Sequence, residues 1–232
     1  MFKKKPTIKY ESALEFYPNP LTPAKNHIPE WYKKIPKWKN NKIFDVETGF
    51  NDTLKQCMPF LDSLTTGYMI TLPHDIYVTN NNGVPFLSWR DSSYPPQSRD
   101  SVADSNLIPF GHFPMEFIWN FCCATTVPKG YSVLITHPLN RHDLPFTTLS
   151  GIVDGEMIIH TKGNIPFYIK QNFEGTIPQG TPIAQLIPFR QEVWTSKKSL
   201  GLVKEGEIHN LKSGSLLIGW YKKTFWTHKK YL

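Results

Sequence analysis

The stretch that decides the fold lies at residues 127–189 and reads VPKGYSVLITHPLNRHDLPFTTLSGIVDGEMIIHTKGNIPFYIKQNFEGTIPQGTPIAQLIPF. Its short apolar runs are separated by Pro-x-Gly, Ser-Gly, Lys-Gly-Asn, Glu-Gly and Gln-Gly. Glycine, proline and asparagine at such intervals make tight turns, and apolar runs of this length between turns are typical of strands. The stretch therefore predicts a compact, all-β core.

The composition of the whole chain agrees with a β-rich protein. The 232 residues are enough for one sizeable domain, or for one domain with an extended arm. The chain has 20 prolines, and proline lacks the backbone donor that helix interiors need, so this number favours strands and loops. Apolar residues make up 40% of the chain, which argues against disorder.

Residues 1–50 differ in character from the rest and predict an extended arm. Between residues 18 and 36, five prolines occur at intervals that prevent long helices, namely Pro18, Pro20, Pro23, Pro29 and Pro36. Trp31, Tyr32 and Trp38 lie among them as candidate binding residues. Aromatic rings with a polar group are common interface anchors, so these rings pack either on the β-surface of the same chain or on a neighbouring subunit.

Residues 53–232 predict a single β-rich domain. Asn80-Asn81-Asn82-Gly83 separates two strand-like runs and predicts a hairpin, because asparagine and glycine tolerate a positive φ. Residues 90–107 are polar and lack periodicity, which indicates a long surface loop. An apolar cluster at 215–221 closes the domain.

The net charge of +7 comes largely from lysines near the two ends of the chain. Such lysines attract nucleic acid, anionic lipid or acidic proteins, or they are simply solvated. The runs WYKK at 31–34 and WYKK at 220–223 interleave aromatic and basic residues, as in proteins that bind nucleic acid. Nucleic acid is therefore a candidate partner of the basic termini.

The three cysteines, Cys57, Cys122 and Cys123, do not make a disulfide framework, and a reducing cytosol is the simplest inference. Pro6 and charged residues follow the basic start, so we expect no signal peptide. No apolar run approaches 18 residues, so we expect no membrane span.

A search for catalytic chemistry gives no assigned catalytic residue and no metal site. The eight histidines form no His-Glu-x-x-His motif, and the cysteines form no Cys-x-x-Cys motif. Arg141 is the most interesting polar residue of the β-core. It either forms a structural ion pair, with Asp62, Asp143 or Asp154 as candidate partners, or binds an anion in a pocket.

The segments VPKGYSVLI, LSGIVD and GTPIAQLI follow one another in an order that resembles the dUTPase and dCTP deaminase superfamily. The resemblance covers residues 127–189 and implies a jelly-roll or β-clip sandwich or barrel, often trimeric. It also implies that Asp154 and Arg141 would be the catalytic positions, with Mg²⁺ as cofactor. The family's Arg-Ser-Gly phosphate signature is absent, and Met157 stands where the family has tyrosine.

A second resemblance covers most of the chain. IPEWYKKIP at 28–36, CMPFLD at 57–62 and PLNR at 138–141 are similar to an uncharacterised family of tailed phages and bacteria. It implies a phage origin and assigns no activity.

Together these features favour a non-enzymatic phage-encoded structural or binding protein, possibly present in the virion, whose arm makes subunit contacts. This hypothesis implies a homo-oligomer, or contacts with other phage proteins, without a cofactor. It places the protein in the cytoplasm of the infected host or in the virion. A nucleotide hydrolase or deaminase with a degenerate dUTPase-like site is one alternative. A nucleic-acid-binding accessory protein is another.

Overall fold

The computed structural model describes residues 5–47, 49–90, 94–99, 108–155, 165–214 and 220–232. Within these ranges the strands are β1 (Lys9–Ser12), β2 (Leu21–Pro23), β3 (Phe44–Asp45), β4 (Gly49–Phe50), β5 (Tyr68–Thr71), β6 (Ile76–Asn81), β7 (Val84–Ser88), β8 (Gln97–Arg99), β9 (Glu116–Trp119), β10 (Cys123–Thr126), β11 (Tyr131–Thr136), β12 (Phe146–Thr148), β13 (Gly151–Asp154), β14 (Ile165–Ile169), β15 (Gly175–Ile177) and β16 (Pro182–Arg190). The α-helices are α1 (Glu30–Lys34), α2 (Met58–Thr65), α3 (Leu202–Gly214) and α4 (Trp220–Thr224).

The chain divides into two compact units. The β unit comprises Met1–His27, Thr66–Gln191 and Tyr231–Leu232. The helical unit comprises Ile28–Thr65 and Glu192–Lys230, and it contains all four α-helices together with the short β3–β4 pair. The predicted arm of 1–50 and domain of 53–232 do not coincide with this division.

Antiparallel sheets build the β unit. The largest has five strands in the order β13-β11-β16-β5-β2, and a second has the order β12-β14-β9-β8. A three-stranded sheet, β15-β6-β7, and the pair β1-β10 complete it. None of the described sheets closes into a barrel. The all-β prediction is therefore confirmed for this unit.

Stacked aromatic rings form the centre of the β core. Trp119 and Phe167 stack with ring centroids 3.5 Å apart, and Phe146 packs edge-on against Trp119 at 5.0 Å. Trp119 Nε1 donates a hydrogen bond to Thr148 Oγ1 (3.0 Å), and that hydroxyl donates to the Ile183 carbonyl (2.7 Å). Because Ile183 belongs to the five-stranded sheet and the rings to the four-stranded sheet, this chain of contacts ties the two sheets together.

The hairpin predicted at 80–83 is present between β6 and β7. Asn82 and Gly83 have φ of 51° and 86°, the left-handed pair that a two-residue hairpin turn needs. The Gly83 amide donates to Asn80 Oδ1 (2.9 Å), which fixes the turn.

The N-terminal segment does not form one extended arm. β1 pairs with β10, and β2 pairs with β5 as the edge of the large sheet. Leu21 is 3% exposed and Ala24 is fully buried. Proline is tolerated at a sheet edge because only its donor is missing, and the Pro20 carbonyl accepts from the Thr71 amide (3.1 Å). The prolines therefore allow this segment to pair at the edge of the sheet.

Two further sequence predictions concern segments that lie partly outside the described residues. Of the predicted loop at 90–107, residues 91–93 and 100–107 lie outside the described residues, and β8 lies between them and pairs with β9. Of the apolar cluster at 215–221, residues 215–219 also lie outside them. The cluster's last two residues begin α4.

Candidate functional site

Asp154 lies at the end of β13, directly opposite Ser132 of β11. Its Oδ1 accepts hydrogen bonds from Ser132 Oγ (3.0 Å) and from Gln191 Nε2 (3.2 Å). Gln191 Nε2 also lies 2.9 Å from Ser132 Oγ, so the three side chains form a closed polar triangle. The Asp154 carboxylate is exposed to solvent. Its two hydrogen bonds nevertheless hold it in one place.

The backbone beside this triangle is tightly packed. A Cβ atom added at Gly155 would lie 2.1 Å from the Tyr131 carbonyl oxygen and 2.9 Å from that of Pro128. The Gly155 carbonyl accepts from the Val127 amide (3.2 Å) and from Thr126 Oγ1 (3.1 Å). Only glycine fits this close approach, and it fixes the end of β13.

Arg141 forms an ion pair with one of the predicted candidates, Asp143. Its Nε donates to Oδ1 (2.9 Å) and its Nη2 to Oδ2 (2.9 Å), which is the bidentate arrangement. Nη1 donates to the His27 carbonyl at 3.4 Å. The Arg141 side chain is only 11% exposed. Its guanidinium therefore stabilises the local fold of this chain through these hydrogen bonds.

Two buried or half-buried histidines near Arg141, His137 and His27, have lowered pKa values. His137 Nε2 donates to the Arg141 carbonyl (3.1 Å), and Nδ1 accepts from the Thr148 amide (3.3 Å). Burial lowers the pKa of His137 to about 4. Burial, followed by the charge of Arg141, lowers the pKa of His27. Both rings therefore serve as hydrogen-bonding groups of the fold at neutral pH.

The two residues that the dUTPase resemblance would pair are not brought together within the chain. Asp154 lies beside Ser132, near the start of β11, whereas Arg141 follows Thr136, its last residue. Four residues of strand span about 13 Å. The hydrogen-bond partners of the two side chains are also separate.

The predicted aromatic anchors lie in the helical unit. Tyr32 is buried, stacks on Phe60 of α2 with ring centroids 5.8 Å apart, and has Lys55 Nζ 4.5 Å above its ring. Trp31 packs edge-on against Phe60 at 6.3 Å. Trp38, which is partly exposed, pairs through its backbone with Asp52. These rings therefore take part in packing within the helical unit, chiefly that of α1 against α2.

The C-terminal aromatic and basic residues join the same unit. Asp62 of α2 accepts from Trp226 Nε1 (3.0 Å) and from Lys229 Nζ (2.6 Å). The two segments that share the letters WYKK, far apart in sequence, thus lie in one compact unit.

The net charge is concentrated in this helical unit. It contains 14 of the 26 basic residues and 8 of the 19 acidic residues, a net charge of +6. The β unit has the remaining 12 basic and 11 acidic residues, a net charge of +1. About a third of the chain therefore carries almost the whole net charge of +7.

No protein-family model and no curated protein matches this chain. Among solved structures, it is similar to a point mutant of the dUTPase from phage phi11 of S. aureus, a structure that concerns the coordination of a structural Mg(II) ion. Identity is 13% over 83% of this chain and 95% of that chain, with a TM-score of 0.33. It is also similar to a mutant of the dUTPase of Staphylococcus bacteriophage 80alpha, at 12% identity over 84% and 96%, with a TM-score of 0.34. Likeness at this level carries no information on activity.

Exposed apolar side chains are concentrated at residues 192–211, which we call the 192–211 segment. Six of them are between 60% and 97% exposed: Val193, Trp194, Leu200, Leu202, Val203 and Leu211. The first two lie outside the helices and strands, and the last three lie on α3. Soluble chains rarely expose so many large apolar groups within one short segment, and such patches mark contact surfaces.

Cys122 and Cys123 are buried in the β unit. Burial raises the pKa of Cys122 to about 11 and that of Cys123 to about 12, so both thiols are protonated at neutral pH. Within the described ranges, no three His, Cys, Asp or Glu residues are grouped so that they could hold a metal ion. None of the helices found there is long and apolar enough to cross a bilayer.

Sequence reasoning missed the 192–211 segment and the joining of the two WYKK runs. The first had a usable signal, because Val193, Trp194 and the Leu200–Val203 run stand among polar residues without strand periodicity. The second had none beyond shared composition, because contact between distant segments leaves no local pattern.

Proposed function

We propose that this protein is a non-enzymatic binding protein of phage origin that assembles into a homo-oligomer through the 192–211 segment. The observation that carries the proposal is the exposure of the six large apolar side chains of that segment. We propose further that it acts in the cytoplasm of the infected host or in the virion. The phage origin is a prediction from the sequences of residues 28–36, 57–62 and 138–141.

The energetics favour an extensive contact over a small one. Burying one large apolar side chain is worth about 1.5–3 kcal/mol, so six of them supply on the order of 10 kcal/mol. Association costs about 4–15 kcal/mol in lost freedom of the partners and in ordering of side chains. Most of the six must therefore be buried together, and the same segment of a second copy provides a matching apolar surface.

The charge of the segment also favours a second copy as the partner. Residues 192–211 contain three lysines and three glutamates, a net charge of zero in a chain of +7. Repulsion between two copies of a basic protein is smallest where the local charge is balanced. Closed two-fold contacts present the same patch from both sides, which requires such self-complementarity.

The geometry at the candidate catalytic positions supports a role without catalysis. The Arg141 guanidinium is engaged by Asp143 and by a backbone carbonyl, and Asp154 is engaged by Ser132 and Gln191. The alternative of a Mg²⁺-dependent nucleotide hydrolase or deaminase makes a different prediction. Pyrophosphate or ammonia released from a deoxynucleotide by the full chain, and lost in Asp154→Ala, would replace our proposal.

Substitution within the segment tests the assembly. We expect Trp194→Ser/Leu200→Ser to shift the full chain from oligomer to monomer in size-exclusion chromatography with light scattering. The matched control is Phe110→Ser/Ile152→Ser, which removes two exposed apolar side chains of the β unit and should leave the mass unchanged. Equal behaviour of the two variants would remove the segment from the assembly.

A further inference from the structure

We infer that the helical unit binds single-stranded nucleic acid without sequence preference. The contacts come from lysines of α1, α4 and the C-terminal tail at 225–230, and from aromatic rings of α4 and of that tail. This activity goes beyond assembly and rests on a different observation, the concentration of positive charge and exposed rings in one unit.

The helical unit has more lysines than its own carboxylates can neutralise. Among the described residues, Lys33 pairs with Glu30 and Lys229 pairs with Asp62, each at 2.6 Å. If every one of its 8 acidic residues paired with one lysine, 6 of the 14 lysines would still lack a carboxylate from the unit. Excess cationic charge of this kind attracts polyanions.

The lysines of the two segments belong to one packed body. α1 contacts α2 through the ring of Phe60, and the tail contacts α2 through Asp62. Two α1 lysines, Lys33 and Lys34, and two tail lysines, Lys229 and Lys230, are exposed around this shared helix. Both lysine groups therefore belong to the same compact unit and add to the positive charge around it.

α4 and the tail supply rings for stacking among the cations. Tyr221 of α4 and Phe225, the residue that follows the helix, are exposed and have ring centroids 6.4 Å apart. Lys222 and Lys223 lie between them in sequence and are also exposed. Rings next to phosphate-binding cations are the usual means of holding single strands, because every base has a face that can stack.

The type of basic residue indicates binding without base readout. All 14 basic residues of the helical unit are lysine. Lysine contacts phosphate as a point charge, whereas arginine supplies the planar fork that reads guanine edges. A lysine-only surface therefore favours affinity that depends on charge and stacking.

A single strand fits this surface better than an anionic membrane does. Peripheral membrane binding uses an amphipathic helix with a basic polar face. The longest helix of the unit, α3, has Lys204 and Lys212 balanced by Glu205 and Glu207.

Fluorescence anisotropy of the full chain tests the inference, with a labelled oligothymidylate of about 30 nucleotides, longer than typical single-strand site sizes. We expect binding that weakens linearly in log affinity between about 50 and 200 mM NaCl, with a slope near −0.7 per lysine engaged. Lys222→Gln/Lys223→Gln should weaken binding about tenfold and reduce the slope by about 1.4. Lys9→Gln/Lys129→Gln, the same charge change on the β unit, should do neither.

A second variant separates stacking from charge. Phe225→Leu keeps an apolar side chain but removes the ring, and we expect weaker binding with an unchanged salt slope. The inference is overturned by absence of binding at about 50 mM NaCl, or by equal losses in the two lysine variants. Preference for vesicles containing phosphatidylserine, or for an acidic polypeptide such as polyglutamate, over the oligonucleotide also overturns it.

Discussion

The carboxylate of Asp62 and the ammonium of Lys229 meet at 2.6 Å across 167 residues of sequence. The same Oδ2 accepts from Trp226 Nε1 at 3.0 Å. The Asp62 side chain is only 14% exposed, so its two donors replace most of its hydration. This carboxylate fastens the C-terminal tail to α2 within the helical unit.

Asp62→Asn tests that role. Loss of the ion pair and weakening of the indole hydrogen bond should lower the stability of the helical unit by about 1 kcal/mol, since half-exposed lysine reduces the ionic gain. Hydrogen exchange followed by mass spectrometry should show faster exchange of residues 220–230. The control is Glu30→Gln, which removes an exposed pair with Lys33 and should leave exchange there unchanged. Equal protection of the tail in Asp62→Asn and the unaltered chain would contradict the role.

Much of the β unit could be predicted from local sequence. Turn residues such as Asn82-Gly83, and Gly130 with φ of 79°, mark where strands must reverse, and the apolar runs between them give the strands. β1 and β2 could not be predicted, because their pairing with β10 and β5 depends on distant partners while their own residues read as proline-rich coil. α3 also lacks a clear apolar face, so no periodicity marked it.

Gly155→Ala should destabilise the β unit. The new Cβ would overlap two backbone carbonyl oxygens, which cannot move as a side chain can. We expect a loss of about 2–3 kcal/mol in the free energy of unfolding, measured by urea denaturation. Gly151→Ala, at the first residue of β13 with nothing within 4 Å of the added atom, should change stability little. Similar stabilities of the two variants would contradict the close packing at Gly155.

The β unit should lose stability as the pH falls below neutrality. The pKa of His137 is about 4 in the folded chain and about 6.5 in the unfolded chain, so only the unfolded chain gains a proton between those values. The loss begins near pH 6.5 and reaches on the order of 3 kcal/mol by pH 4. His27, whose pKa is also lowered, acts in the same direction.

Thermal unfolding measured from pH 7 to pH 4 checks this dependence. His137→Gln should flatten it, whereas the control His228→Gln, at an exposed position, should retain it. A profile that is as steep in His137→Gln as in the unaltered chain would assign the pH dependence to other groups.

The thiols should differ in reactivity. Cys57 is exposed, whereas Cys122 and Cys123 are buried with raised pKa values of about 11 and about 12. We expect iodoacetamide at neutral pH to add one label per native chain and three in denaturant, read by intact mass. Labelling of all three thiols in the native chain would show that the β core is open at β10.

The candidate site could be predicted only in its parts. Asp143 as the partner of Arg141 was one of three open choices, since charge alone does not give geometry. The Ser132–Asp154 contact follows from the register between β11 and β13, which no single strand specifies. Gln191 joins it from beyond β16, and no local pattern indicates a polar partner at that position.

The central claim is that this chain assembles with itself through a neutral, apolar segment of an otherwise basic protein. Sedimentation equilibrium of the full chain across a dilution series, repeated at low and high salt, tests it most directly. We predict a mass that is a whole multiple of 26.8 kDa and dissociates on dilution, with little dependence on salt because the contact is apolar. A monomer at every concentration would contradict the claim.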